Sequence, residues 1–219
     1  MSKLQMNLMI LQSKKYFKAD YGKLTFVKNK EKQNMKFIVI EGLNGAGKSS
    51  LAKAIALKIN GRYIASPHES IAQLRTVMDE VSLLAHFFYY MLGNILISDD
   101  LKKNKSDEII ICDRYIDSTL ARHEVLGLEV KDFNVSLSNL QEPDISFFIY
   151  CEEIERRSRI EERGKKNKWD ILDEDNQSRK AYIDYFYKKQ KFHFFNTSNE
   201  TVDESLNRML SILSEEGII

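Results

Sequence analysis

Within KFIVIEGLNGAGKSS, residues 36–50, a run of strand-forming apolar residues leads straight into a loop with Gly42, four residues, then Gly47, Lys48 and Ser49. That is the spacing of a phosphate cradle. Glycines at 42, 45 and 47 free the backbone to turn successive N–H groups onto one anion, with Asn44, Ala46 and Ser50 completing the loop. Lys48 is placed to reach the β- and γ-phosphates, and the Ser49 hydroxyl to take one position on Mg²⁺. From Leu51 to Ile59 the apolar residues fall at helical spacing, so the loop opens a helix whose N-terminal dipole favours the same anion. The ligand implied is a nucleotide polyphosphate with Mg²⁺.

A chain of 219 residues, 43% of them apolar, has the material for one large core. With only two prolines and nine glycines it has little room for linkers. No apolar run approaches the roughly 18 residues of a membrane span, so the expectation is a cytoplasmic protein with no membrane partner. Cys112 and Cys151 lie in strand-like apolar runs, where a thiol behaves as a small hydrophobe. Residues 1–35 hold eight lysines against two acids, a net of +6. Since the whole chain carries +1, the remainder carries +1 − 6 = −5, which argues against nucleic acid as a ligand of the main domain. Residues 1–34 are read as a basic N-terminal extension, and residues 35–219 as the catalytic domain.

From Met35 onward strand and helix patterns alternate, the signature of a parallel sheet covered on both faces. Strands are expected at Arg62–Ala65, Glu108–Cys112, Ile145–Cys151 and Phe192–Phe195. One helical pattern runs from Ile71 through Leu96, and further helices are expected at Glu152–Arg163, Arg179–Gln190 and after Thr201, where Thr201 and Glu204 form a capping box. In the block Phe87-Phe88-Tyr89-Tyr90 four consecutive aromatics cannot all face inward, so at least one, taken as Tyr90, is expected to line a pocket. Asp113 and Arg114 follow a buried strand at its carboxyl end, a place suited to Mg²⁺ and phosphate. Arg156, Arg157, Arg159 and Arg163, followed by Lys165, Lys166 and Lys168, read as a basic lid. Asn104-Lys105-Ser106-Asp107 spells a guanine-reading motif, but it precedes a strand instead of following one, so it is set aside.

Four stretches together resemble the thymidylate kinase family: FIVIEGLNGAGKSS at 37–50, CDRYIDSTLA at 112–121, RGKKNK at 163–168 and FNTSN at 195–199. The resemblance implies a P-loop NTPase three-layer α/β/α fold with a five-stranded parallel sheet in the order 2-3-1-4-5, a basic lid, and members that are commonly homodimers. It implies ATP-dependent phosphoryl transfer to a nucleotide or nucleoside. Lys48, Asp113, Arg114 and Arg163 are the implied catalytic residues, Ser49 and Asp113 the metal ligands, and Lys165 and Thr197 further contacts to the donor. Glu41, Pro67, Glu69, Tyr90, Tyr115 and Arg122 are the candidate acceptor contacts. The acceptor side departs from the family: Asn44 stands where an acid is usual, Ala65, His68 and Glu69 where an arginine is, and Arg122-His123 where Tyr and Gln are. Hence the expectation that dTMP is a poor acceptor, with Glu69 repelling a monophosphate, and that an unphosphorylated nucleoside, or a nucleotide bound in an altered mode through Arg75 or Arg122, is preferred. The alternatives are kinase chemistry on another small molecule, or a nucleotide-binding regulatory domain without turnover.

Overall fold

A computed structural model describes residues 35–103, 106–133, 137–164 and 166–219. The expected extension at 1–34 and Lys165 therefore lie outside the described residues.

Five strands form one parallel sheet: β1 (Lys36–Gly42), β2 (Arg62–Ala65), β3 (Ile109–Asp113), β4 (Ile145–Tyr150) and β5 (His193–Asn196), in the order β2-β3-β1-β4-β5. β1 is flanked on both sides, which is why its burial is continuous instead of alternating. Its side chains nonetheless divide by parity. Ile38 and Ile40 pack with Leu51 and Ile55 of α1 (Lys48–Lys58) and with Met209 and Leu213 of α9 (Val202–Glu215). Phe37 and Val39 face the other layer, where Phe87, Met91 and Ile97 of α4 (Leu83–Lys103) meet Leu120 of α5 (Ile116–Val125). A third cluster joins Phe148 to Tyr182 and Phe186 of α8 (Asn176–Lys189). The sheet order and layers are those expected, and the capping box at Thr201 and Glu204 opens α9.

The single helix expected from Ile71 through Leu96 is broken into α2 (Glu69–Ala72), α3 (Arg75–Met78) and α4. The apolar spacing across the break is not a buried stripe, because Leu74, Val77 and Val81 are exposed. Asp79, Glu80 and Ser82 supply the stop, and the Ser82 hydroxyl accepts from Ala85 N at 3.3 Å at the start of α4. Smaller differences lie at element ends: Cys151 falls outside β4, β5 is one residue later than expected, and α8 starts at Asn176, where Asp175 caps Ser178 N. The described residues include no helix long and apolar enough to cross a membrane.

Candidate active site

β1 ends at Gly42, whose φ of 139° lies in a region L side chains avoid and where a Cβ would meet Ile149 O at 2.1 Å. Only glycine lets the chain leave the sheet here. The loop then wraps the N-terminus of α1, with Gly47 in the left-handed region at φ 85°. Behind it runs α6 (Glu153–Glu162), whose Arg156 is almost wholly buried. The Arg156 guanidinium donates to Asn44 O at 3.1 Å and Asp173 O at 3.2 Å and pairs with Glu153 at 2.7 Å. A Cβ on Gly45 would lie 2.8 Å from Arg156 O, so the loop rests directly on the backbone of α6.

A cavity of about 780 Å³ opens in front of this loop at the carboxyl ends of the strands. Of the residues singled out in the sequence, Asn44, Gly45, Gly47, Lys48, Ser49 and Ser50 line it, as do Tyr90, Asp113, Arg114, Arg122, Arg163 and Thr197. Six do not. Gly42 and Ala46 support the loop from within. Glu41 is fully buried, its carboxylate accepting from Tyr115 N at 3.0 Å and Ser118 N at 3.2 Å, so that it secures the start of α5. Burial pushes its pKa up to about 7. Tyr115 points into the core against Phe37, with ring centroids 5.3 Å apart. Pro67 is buried against Gly93 of α4. Glu69 is exposed at the first turn of α2 and is not among the residues that line the cavity, contrary to the expectation that it stands beside an acceptor phosphate.

Two cations in the cavity have no carboxylate within 4 Å among the described residues. Lys48 Nζ donates to Leu43 O at 2.5 Å; burial first, then the neighbouring Arg114, push its pKa down to about 7. Arg114, with a backbone φ of 72°, is held only by neutral oxygens: Asn44 Oδ1 at 2.6 Å, Ser118 Oγ at 3.0 Å and Tyr182 Oη at 3.1 Å. The other lining arginines are compensated. Arg75 lies 3.9 Å from Asp79, Arg122 2.6 Å from Asp173, Arg159 2.5 Å from Glu155 and Arg163 2.5 Å from Asp170. The basic lid is thus not the run of free charge its composition suggests: Arg156 is a buried brace, and Lys166 and Lys168 reach Glu174 and Asp79.

The Ser49 hydroxyl donates to Asp113 Oδ2, and Tyr63 Oη lies 3.3 Å from the same oxygen. A hydroxyl and a carboxylate side by side, with room for phosphate oxygens and water, are a donor set that fits Mg²⁺. The described residues form no cluster of three or more His, Cys, Asp or Glu that would bind a metal without the nucleotide. At the other side of the loop Arg159 donates to Thr197 Oγ1 at 3.2 Å and Thr197 O at 2.9 Å, linking the lid helix to the turn after β5. The sequence pattern does not single out Arg159 within the lid, although it sits one helical turn before Arg163 on the same face. Nor does it mark His86 and Trp169 as cavity residues, whereas Arg75 and His123, both considered for the acceptor side, do line the cavity. The lone tryptophan is the one available signal.

The thymidylate kinase family model matches residues 40–208. A probable thymidylate kinase of Methanococcus aeolicus is 27% identical over 197 residues, covering 84% of this chain and 98% of its own. One from Sulfurisphaera tokodaii is 30% identical over 157 residues, covering 68% and 81%. Among solved structures, thymidylate kinase from Candida albicans superposes with a TM-score of 0.61 at 18% identity, over 83% of this chain and 92% of that one. Deoxyadenosine kinase from M. mycoides gives 0.62 at 20%, over 81% and 98%. The chain belongs to the thymidylate kinase family and is an ATP-dependent phosphotransferase that acts on a nucleotide or nucleoside.

Proposed function

We propose that the acceptor is a nucleoside monophosphate and the donor Mg-ATP. One observation carries this reading: the acceptor side of the cavity offers Arg75, Arg114 and Arg122 but no carboxylate to serve as a base, and its two histidines, His86 and His123, have their ring nitrogens turned onto each other, Asp79 and Thr119 O. Among the described residues only Asp113 and Glu200 bring acids to the cavity wall, the first engaged by Ser49 and Tyr63, the second by Ser205 and Arg208. A nucleoside hydroxyl must lose a proton as it attacks, whereas a monophosphate already carries an anionic nucleophilic oxygen. The exposed position of Glu69 takes away the charge argument for the nucleoside.

In this reading Lys48 lies against the β- and γ-phosphates, Arg114 between donor and acceptor phosphates, and Arg159 and Thr197 beside the donor. Their work is positioning and charge stabilisation. Ser49 and Asp113 would hold the magnesium ion, which supplies charge neutralisation at the transferring phosphoryl group. A regulatory role without turnover is disfavoured because Lys48, Ser49, Asp113 and Arg114, which together would serve phosphoryl transfer, all line the cavity. The test is ADP release with dTMP, other deoxynucleoside and ribonucleoside monophosphates, and the matching nucleosides. At least one monophosphate should exceed every nucleoside by about a hundredfold in kcat/KM; a better nucleoside, or no turnover with any acceptor, overturns the reading.

The same reading extends to assembly. Leu84, Phe88, Leu92 and Ile95 are all 41–47% exposed and follow helical spacing on α4, an apolar stripe that fits a homodimer interface. Light scattering should give twice the chain mass, and Phe88→Glu should return the monomer. A monomeric wild type at micromolar concentration refutes it.

A further inference from the structure

Beside the arginines, the acceptor wall contains a chain of ring contacts whose proton count does not close for neutral groups. His123 Nδ1 lies 2.6 Å from Thr119 O. His123 Nε2 lies 2.8 Å from His86 Nδ1, and His86 Nε2 lies 3.2 Å from Asp79 Oδ1. A carbonyl oxygen only accepts, so His123 Nδ1 carries hydrogen. The contact between the rings needs one proton, on either nitrogen. An ionised carboxylate only accepts, so the third contact needs a proton as well, on His86 Nε2 or on Asp79 itself. Three contacts require three protons, and two neutral imidazoles bring two.

We infer that His86 and His123 act as one protonatable unit that positions the acceptor wall, binding a third proton when Asp79 docks on it. This rests on the reading of the cavity as an acceptor site. When that proton is absent one contact fails, and the longest, His86 to Asp79, is the one at the outer end. Asp79 caps α3, the helix that begins with the cavity-lining Arg75. The third proton therefore ties α3 to α4 through His86 and to α5 through His123. Without it, Asp79 is left to its other neighbours, Lys168 Nζ at 3.6 Å and Arg75 Nε at 3.9 Å, and Arg75 is drawn toward Asp79 and away from the acceptor.

The surroundings set where the change occurs. Both rings are buried, His86 3% and His123 1% exposed, and burial disfavours the charged form. Lys168 of α7 (Lys168–Leu172) and Arg75 of α3 oppose a charge on His86, while Asp79 favours it. Arg122 of α5 and Lys168 oppose one on His123, which burial pushes down to about 4 while its bond to Thr119 O raises it. Tyr90 of α4 and Trp169 of α7 pack on the His86 ring at 4.7 and 5.0 Å and bring no charge. The third proton is thus held below the ordinary histidine range, so the docked wall is favoured as the pH falls.

Asp79→Asn tests this, because an asparagine amide brings its own N–H. The neutral rings then satisfy all three contacts: the new amide donates to His86, His86 to His123 and His123 to Thr119. In the wild type, acceptor kcat/KM relative to the Asp79→Asn enzyme should rise about tenfold from pH 7.5 to pH 5, with KM for ATP moving in parallel in the two enzymes. Taking the ratio cancels titration of the acceptor's own phosphate. Imidazole ¹⁵N shifts of the two histidines should show one shared titration below pH 6.5 in the wild type and its loss in Asp79→Asn. Two independent titrations, or the same shared step in the variant, overturn the proposal. Because the shifts are read on the unliganded protein, they decide the matter even if the acceptor proves not to be a monophosphate.

Discussion

Lys48 is buried in its own loop beside the Arg114 guanidinium, with no carboxylate within 4 Å among the described residues, and this predicts that ATP binding takes up a proton. In the empty site burial and Arg114 pull its pKa from 10.5 to about 7. At pH 8 only about a tenth of the molecules carry the charge. The β- and γ-phosphates bring compensating negative charge to the amine and restore its full protonation. Binding at pH 8 should therefore take up most of a proton through this residue, and affinity should weaken toward tenfold per pH unit above about 7. Titration calorimetry of Mg-ATP in buffers of different ionisation enthalpy measures the uptake, with Lys48→Met as the reference. Equal uptake by the two proteins, or an affinity for ATP that is flat from pH 7 to 9, refutes the reasoning. The same displacement has a sign in stability. The unfolded chain keeps this proton up to pH 10.5 while the folded chain releases it near 7, so between those limits the unfolded state binds more protons. Unliganded wild type should gain about 1.4 kcal/mol per pH unit across that window relative to Lys48→Met, and the penalty is full below pH 7.

Other consequences are nearer the core. Arg122→Ala leaves Asp173, whose side chain is fully buried, without its guanidinium, and should cost about 3–5 kcal/mol in chemical denaturation. Ser118→Ala removes the hydroxyl that joins Glu41 to Arg114, and should lower kcat by at least about tenfold with KM for ATP unchanged; equal losses in both would mean a general loosening instead. Gly45→Ala, at φ 80° and against Arg156 O, should weaken ATP binding by about tenfold or more, read by the same calorimetry.

The donor side is legible because its chemistry is local in sequence. Gly42 to Ser50 form one continuous passage from strand through loop to helix, and Asp113-Arg114 stand at the end of a strand whose burial is plain from EIIIC, so the phosphate site follows from short local patterns. The acceptor side is assembled otherwise. Arg75 comes from α3, His86 and Tyr90 from α4, Arg122 and His123 from α5, and Trp169 from α7, and no spacing along the chain announces that these meet. Glu69 misleads for a related reason: the order of residues around Pro67 suggests a place in the acceptor loop, whereas α2 begins at Glu69 and turns it to solvent. The lid arginines read as free charge because composition does not reveal partners. Glu153, Asp170 and Asp173, which bind three of the arginines discussed, are spread over 21 positions of sequence, Glu153 to Asp173.

Arg156 bears on how the enzyme can move. It fastens the first turns of α6 to the phosphate loop through Asn44 O, and Gly45 allows the two backbones to touch. The root of that helix and the loop are mechanically one body, so the fulcrum of any closing stroke must lie beyond them, toward Arg163. Any closing motion is therefore expected past Arg156 and not in the loop, and the geometry that grips the donor should stay fixed. Capture of ATP and closure over the reacting group are thereby separable events, and a substitution past the fulcrum can slow the second while leaving the first untouched.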